Sequence, residues 1–145
     1  MKKNIKNGFT LIELMAVIII LGVVGLIVYP VAVDSINNSK KKLYAEQVER
    51  ILAAADNWAT KNISSLPNEG ETKKLTIEEL KTAGLLKNES IKNPLKSTDE
   101  MTADIIIYYD AEYNQYISVY CDTVYGENYY KDATEFNTVK TKCAS

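Results

Sequence analysis

An α+β fold, in which one long N-terminal α-helix carries a small antiparallel β-sheet on its outer half, is what three stretches of this sequence predict. Residues 14–33 are twenty consecutive positions without a formal charge, preceded by Glu13 and by three lysines. Residues 34–62 hold neither glycine nor proline, and their apolar side chains recur at spacings of three and four, the period of an amphipathic helix. Residues 105–109 and 115–121 are rich in β-branched and aromatic residues, which favour strands.

The apolar run comes first in the chain. At about 1.5 Å of helical rise per residue it is long enough to cross a hydrocarbon core of about 30 Å. Lys2, Lys3 and Lys6 have no acidic counterpart, so the positive-inside bias keeps the N-terminus cytoplasmic and sends the chain after Asp34 outward. A secretory signal peptide and a plain anchor are the two ordinary readings. A signal peptide keeps its apolar core to about 7–15 residues and ends at a small-x-small site, whereas this run is longer and Val31-Ala32-Val33 is a poor cleavage signal. A plain anchor gives no reason for Glu13. A carboxylate inside an apolar span costs about 2.5–3.5 kcal/mol when central and less near an interface, so it calls for a partner.

Composition narrows the function. With 46% hydrophobic and 25% charged residues, the 145-residue chain has room for one small domain beyond the apolar run. Its net charge of −2 becomes −5 once residues 1–8, with three lysines and no acid, are set aside, which disfavours nucleic acid as the default partner. The absence of histidine excludes Ser-His-Asp and Cys-His catalysis and histidine metal sites in this chain. No Walker-type glycine loop is present, and no cofactor is expected. One arginine among 17 basic residues, with abundant Lys, Asn, Ile and Tyr, reads as a low-GC bacterial source.

Lys2, Lys3 and Lys6, followed by Gly8-Phe9-Thr10-Leu11-Ile12-Glu13-Leu14, resemble the class III signal of type IV prepilins and type II secretion pseudopilins. The shared pattern is a glycine, a phenylalanine that becomes N-methylated, a glutamate at the fifth mature position and then the apolar stretch. Gly22 and Pro30 also fall where that family has its helix-weakening glycine and proline. The specific part of the resemblance covers residues 1–36. It implies a leader, residues 1–8, cut by a membrane aspartyl prepilin peptidase between Gly8 and Phe9. It implies a transmembrane and filament-core helix over residues 9–33, and an exported pilin domain over residues 34–145 that includes the outer half of the helix. Glycine suits the cut because it lets a protease approach the backbone closely. The freed Phe9 amine is mostly cationic near neutral pH and keeps its charge on methylation. Glu13 is then expected to pair with the Phe9 amine of a neighbouring subunit and so set register.

Gly22, Gly25 and Pro30 are expected to interrupt the helix. Proline removes an intrahelical hydrogen bond and clashes with the preceding turn, and glycine costs about 1 kcal/mol relative to alanine. The glycines also permit close helix packing in a membrane. Resemblance to assembled pilins implies that the chain between Gly22 and Pro30 extends locally in the filament.

Helix is expected to continue to Asn62, with Tyr44, Val48, Ile51, Ala55 and Trp58 as its apolar stripe and Leu52 and Ala59 widening it. Lys40-Lys41-Lys42 reads as a solvated face or a pairing site for acids of neighbouring subunits, in preference to a DNA or headgroup contact. Residues 63–74, with Pro67 and Gly70, read as a polar loop. Thr76-Ile77-Glu78-Glu79 is a capping box, Leu75 and Leu80 stand at staple positions, and Gly84 fits a C-terminal cap, giving a helix of two turns. Residues 76–87 and 91–95 resemble the linking region of pilin-like proteins of Gram-positive bacteria.

Residues 110–114 read as a hairpin loop between two strands. Ile117, Val119 and Cys121 share the face expected to lie against the long helix, with Tyr116, Ser118 and Tyr120 on the other. Asp110, Glu112 and Asn114 mimic the start of a calcium loop, but Gln115 stands where its glycine belongs and Cys121 where its acid belongs, so a turn is the better reading. A further hairpin is expected near Gly126, with Tyr125, Tyr129 and Tyr130 in packing rather than in a ligand-binding patch. Cys121 and Cys143, the only cysteines, lie in the exported part, where oxidation is permitted. Their pairing would constrain the unfolded chain by about 3 kcal/mol and resembles the disulfide-bounded region of type IV pilins.

The expected function is that of a structural pilin of a type IV pilus, with a type II secretion or competence pseudopilin as the alternative and a membrane-anchored surface binding domain more remote. Expected partners are copies of itself and other pilins, the prepilin peptidase, the assembly platform with its ATPase, and the membrane. The chain would be single-pass in the cytoplasmic membrane before assembly and extracellular after it. It is not expected to be an enzyme: Asp99, Glu100 and Asp104 are scattered and make no acid pair in a cleft.

Overall fold

A computed structural model describes residues 8–130 and 132–144. Lys2, Lys3 and Lys6, with the rest of residues 1–7, lie outside the described residues. The chain divides after Asn38 into two compact units, and helix α1 (Leu11–Lys61) contributes to both.

In the first unit every described side chain is exposed, and none of the most apolar window of α1 is buried. The interruption expected at Gly22, Gly25 and Pro30 is not seen in the single chain: α1 runs unbroken through all three. Pro30 removes only the N–H that would reach the Leu26 carbonyl, while the neighbouring turns keep their bonds. A Cβ on Gly22 or Gly25 would meet nothing within 4 Å, so packing within the chain places no demand on either glycine.

The second unit is built on the outer end of α1. Tyr44, Val48, Ile51, Ala54, Ala55 and Ala59 form its buried stripe. Against them lies a three-stranded antiparallel sheet, β1 (Thr72–Leu75), β2 (Ile105–Asp110) and β3 (Gln115–Tyr120), in sequential order. Leu75 pairs with Ile105, and Ile105 with Tyr120, which fixes the register. Leu75, Leu80, Met101, Ile105, Ile107 and Tyr120 complete this core. Each fully buried Leu or Ile contributes about 1.5–3 kcal/mol relative to exposure. A long N-terminal apolar helix, a small antiparallel sheet and further helices make an α+β, pilin-like arrangement.

Helix α2 (Ile77–Thr82) is fixed at both ends by its own sequence. Thr76 Oγ1 accepts from the Glu79 N–H at 3.2 Å, and the Thr76 N–H donates to Glu79 Oε2 at 2.7 Å. Gly84, at φ +70°, closes the helix: its N–H donates to the Lys81 carbonyl and that of Leu85 to the Leu80 carbonyl, a Schellman pair.

Three expectations are corrected. Strand β1 begins inside the expected loop at 63–74 and takes up its last three residues. Its sequence, Thr-Lys-Lys-Leu, shows little strand propensity, and pairing with β2 decides it. Lys74 pairs with Asp104 at 2.6 Å and Lys73 sits 5.8 Å from the Trp58 ring centroid, so an edge strand carries the charge that discourages edge-to-edge pairing.

Instead of a hairpin near Gly126 there is a 3-10 turn, Gly126–Asn128, followed by α3 (Ala133–Ala144). Asp132 Oδ1 accepts from the Glu135 N–H at 2.7 Å at its start. Phe136, Val139 and Cys143 follow at helical spacing. Gly126 is needed here, because a Cβ would lie 2.7 Å from Phe136 Cε2.

The faces of β3 are also reversed. Val119 packs with Phe136 and Val139, with Ile117 and Cys121 beside it, whereas Tyr120 belongs to the α1 core and Ser118 Oγ donates to Asp56 Oδ1 at 2.7 Å. The more apolar face of β3 packs on α3, a helix that the sequence reading does not include.

The 110–114 segment is a turn: Asp110 Oδ1 accepts from the N–H groups of Glu112 and Tyr113 at 2.9 and 3.3 Å, and Asn114 takes φ 53°. Tyr125, Tyr129 and Tyr130 pack into the core clusters, Tyr130 being buried.

Buried tyrosine hydroxyls stitch these layers together. Tyr44 donates to Asp122 Oδ2 at 2.7 Å, and Tyr130 donates to the Tyr120 carbonyl at 2.9 Å. Burial pushes the hydroxyls of Tyr44, Tyr120 and Tyr130 well above the usual tyrosine range, and the hydrogen bond to Asp122 adds to the effect at Tyr44. The folded chain therefore holds protons that the unfolded chain releases near about pH 10. Stability from these groups is complete below that pH and falls as pH rises through it. The urea midpoint of the detergent-solubilised protein is expected to be flat from about pH 7 to 9 and to drop above about pH 10. A smaller drop is expected in Tyr44→Phe; an equal drop would exclude Tyr44 as a source.

Candidate processing and assembly segment

Gly8 and Phe9 precede the first helical residue, Leu11, and both are exposed, Phe9 at 82%. A Cβ on Gly8 would meet nothing within 4 Å. The Gly8–Phe9 peptide bond thus lies in accessible non-helical backbone, the kind a protease can bind.

Glu13 has a partner within its own chain. The Thr10 N–H and the Thr10 hydroxyl both donate to Glu13 Oε2, each at 2.8 Å, and the Glu13 N–H donates to Thr10 Oγ1 at 3.3 Å. The Leu14 N–H donates to the Thr10 carbonyl at 3.2 Å, the first turn of α1. This is a capping box of the same form as Thr76/Glu79. Its signal, threonine three residues before glutamate at the head of an apolar helix, stands in the sequence. The partner of Glu13 in the single chain is thus local, not the neighbouring-subunit amine that the resemblance implies. Two accepted bonds leave a carboxylate capacity for a further, cationic donor, since its oxygens offer about four lone-pair sites.

The remaining predicted positions do not converge on this segment. Gly22, Gly25 and Pro30 lie farther along α1, all exposed. Cys121 and Cys143 are disulfide-bonded in the second unit, Cα atoms 5.6 Å apart, tying the end of β3 to the last turn of α3. Lys40, Lys41 and Lys42 are exposed on α1. Among the described residues no group of three or more carboxylates and thiols is placed to hold a metal. The geometry offers an exposed non-helical stretch, a satisfied carboxylate one turn into a helix, and a long apolar surface that water does not suit.

Residues 3–29 match the family model of the prokaryotic N-terminal methylation motif. The match spans Gly8, Phe9, Glu13, Gly22 and Gly25 and supports a class III signal of the type IV prepilin kind. It ends before Pro30 and does not divide Gram-positive from Gram-negative sources. No curated protein and no solved structure matches the chain.

Proposed function

We propose that this chain is a structural subunit of a type IV pilus, stored in the cytoplasmic membrane and polymerised through its N-terminal helix. The observation that carries the reading is the methylation motif at residues 3–29 on a helix whose apolar side chains are bare in the single chain. An apolar surface of this length is stable in lipid or against other such helices, and a pilin uses both in turn.

The prepilin peptidase cuts between Gly8 and Phe9 and methylates the new amine, so the protein is an enzyme's substrate rather than an enzyme. Glu13 then accepts from the Phe9 amine of a neighbouring subunit in a water-poor core, where the attraction is far less screened than in water. Gly22, Gly25 and Pro30 allow α1 to lengthen locally on leaving the bilayer, because they are the residues that hold a helix least firmly. Repeated contacts that never close give a filament. A platform protein and its ATPase supply the work, and the globular domains end outside the cell. The Cys121–Cys143 bond near the C-terminus favours a pilus subunit over a secretion or competence pseudopilin by resemblance.

The test is the intact mass and N-terminal residue of the protein recovered from its own bacterium. A chain beginning at methylated Phe9 and sedimenting with sheared surface filaments is expected, while Gly8→Leu should keep residues 1–8 and remain in the membrane. A wild-type chain retaining Met1 to Gly8 would overturn the reading in favour of an anchored binding domain.

A further inference from the structure

Two open grooves flank α1 within the second unit, and they carry opposite charge. One, of about 590 Å³, has Ile51 and Ile91 in its lining with Arg50, Lys87 and Lys92, against a single acid, Glu89. The other, of about 360 Å³, is lined by Glu49 and Asp56 with Tyr116 and Tyr129, and by no cation. Glu49 and Arg50 are adjacent in sequence, but a helix of about 3.6 residues per turn sets them on opposite flanks of the buried stripe that includes Val48, Ile51 and Ala55. Lys92 is held by Glu100 at 2.6 Å and Asp56 by Ser118 at 2.7 Å. Arg50, Lys87 and Glu49 make no ion pair among the described residues.

We infer that the cationic groove of one subunit receives the Glu49–Asp56 flank of a second copy of this chain. The inference rests on the filament proposed above and names a contact within it. Charge complementarity identifies the occupant: Arg50 is the only arginine of a chain that is net acidic beyond its leader, and the matching acids stand on the same unit. Donor and acceptor surfaces lie on opposite flanks of α1, so a head-to-tail contact leaves the cationic groove free at one end and the acidic flank free at the other, and it propagates in the filament proposed above. A single exposed ion pair contributes little, but two like charges brought face to face cost considerably more and block the approach.

The experiment uses the full chain in its own bacterium with three variants, Arg50→Glu, Glu49→Arg and the double swap. Sheared filament protein is measured relative to the pool beginning at Phe9 in the membrane. Each single change is expected to lower that ratio on the order of tenfold by setting like charges opposite each other, and the swap to recover most of the loss. Protease resistance of the membrane pool reports the fold. If Arg50→Glu loses that resistance, Lys87→Glu on the same groove takes its place, with the same expected fall and the same recovery in combination with Glu49→Arg. Singles that assemble as wild type, or a swap no better than the singles, overturn the contact while leaving the pilus reading intact. A processed wild type that forms no filaments removes both.

Discussion

Glu13→Ala is expected to be cut after Gly8 as in the wild type, yet to lower filament yield by about two to four orders of magnitude, since breaking one partner of a buried pair costs about 3–5 kcal/mol. Alanine alone does not isolate the cause, because Glu13 also closes the capping box with Thr10. Losing a cap is worth about 0.5–2 kcal/mol by itself. Glu13→Gln separates the two roles. A glutamine amide oxygen can still accept from the Thr10 N–H, so the cap survives, but the negative charge that would meet the Phe9 amine is gone. Glutamine should therefore fail nearly as badly as alanine. If Glu13→Gln polymerises normally, Glu13 is a helix cap and the register between subunits must come from elsewhere.

The second large effect is expected at the disulfide. Cys121 and Cys143 are separated by 22 residues, and closing such a loop stabilises by about 3 kcal/mol, chiefly through the unfolded chain. Cys121→Ser with Cys143→Ser should lower Tm by roughly 10–15 °C for a domain of this size. Loss should begin at α3, which has only Phe136 and Val139 buried besides the bond. Thermal unfolding of the detergent-solubilised protein, with and without reductant, measures this. A shift below about 3 °C would mean that the α3 packing, not the bond, holds the C-terminus.

Much of this was legible because the signals are local. Tyr44, Val48, Ile51, Ala55 and Ala59 declare a helix face by spacing alone, and all are buried. Thr76-x-x-Glu79 with Gly84 delimits α2 without reference to the rest of the chain. Gly8, Phe9 and Glu13 were found as a linear pattern, which needs no fold. What was missed depends on partners distant in sequence. β1 is a strand because β2 lies beside it, and its lysines disguise it. α3 was hidden by the tyrosines of residues 125–130, which suggested strands, although Phe136, Val139 and Cys143 carry helical spacing. Losing α3 then misassigned the face of Ile117, Val119 and Cys121. Thr10 was overlooked for the opposite reason: a partner three residues away was passed over for one on another molecule.

The sequential order of the sheet bears on time. β1, β2 and β3 pair in the order in which they are made, and the outer turns of α1 on which they pack are made before any of them. Only the β2–β3 pair, joined by the short 110–114 turn, closes fast; Leu75 must wait for Ile105 about 30 residues later, and the Ser118–Asp56 bond spans 62 residues, so these contacts form more slowly. The bond from Cys121 to Cys143 waits for the last turn of the last helix, and thiol oxidation takes seconds to hours depending on the oxidant. In the function proposed above, a newly exported subunit passes through an interval in which it is folded but unlocked. The length of that interval is set by the oxidant outside the membrane and not by the chain.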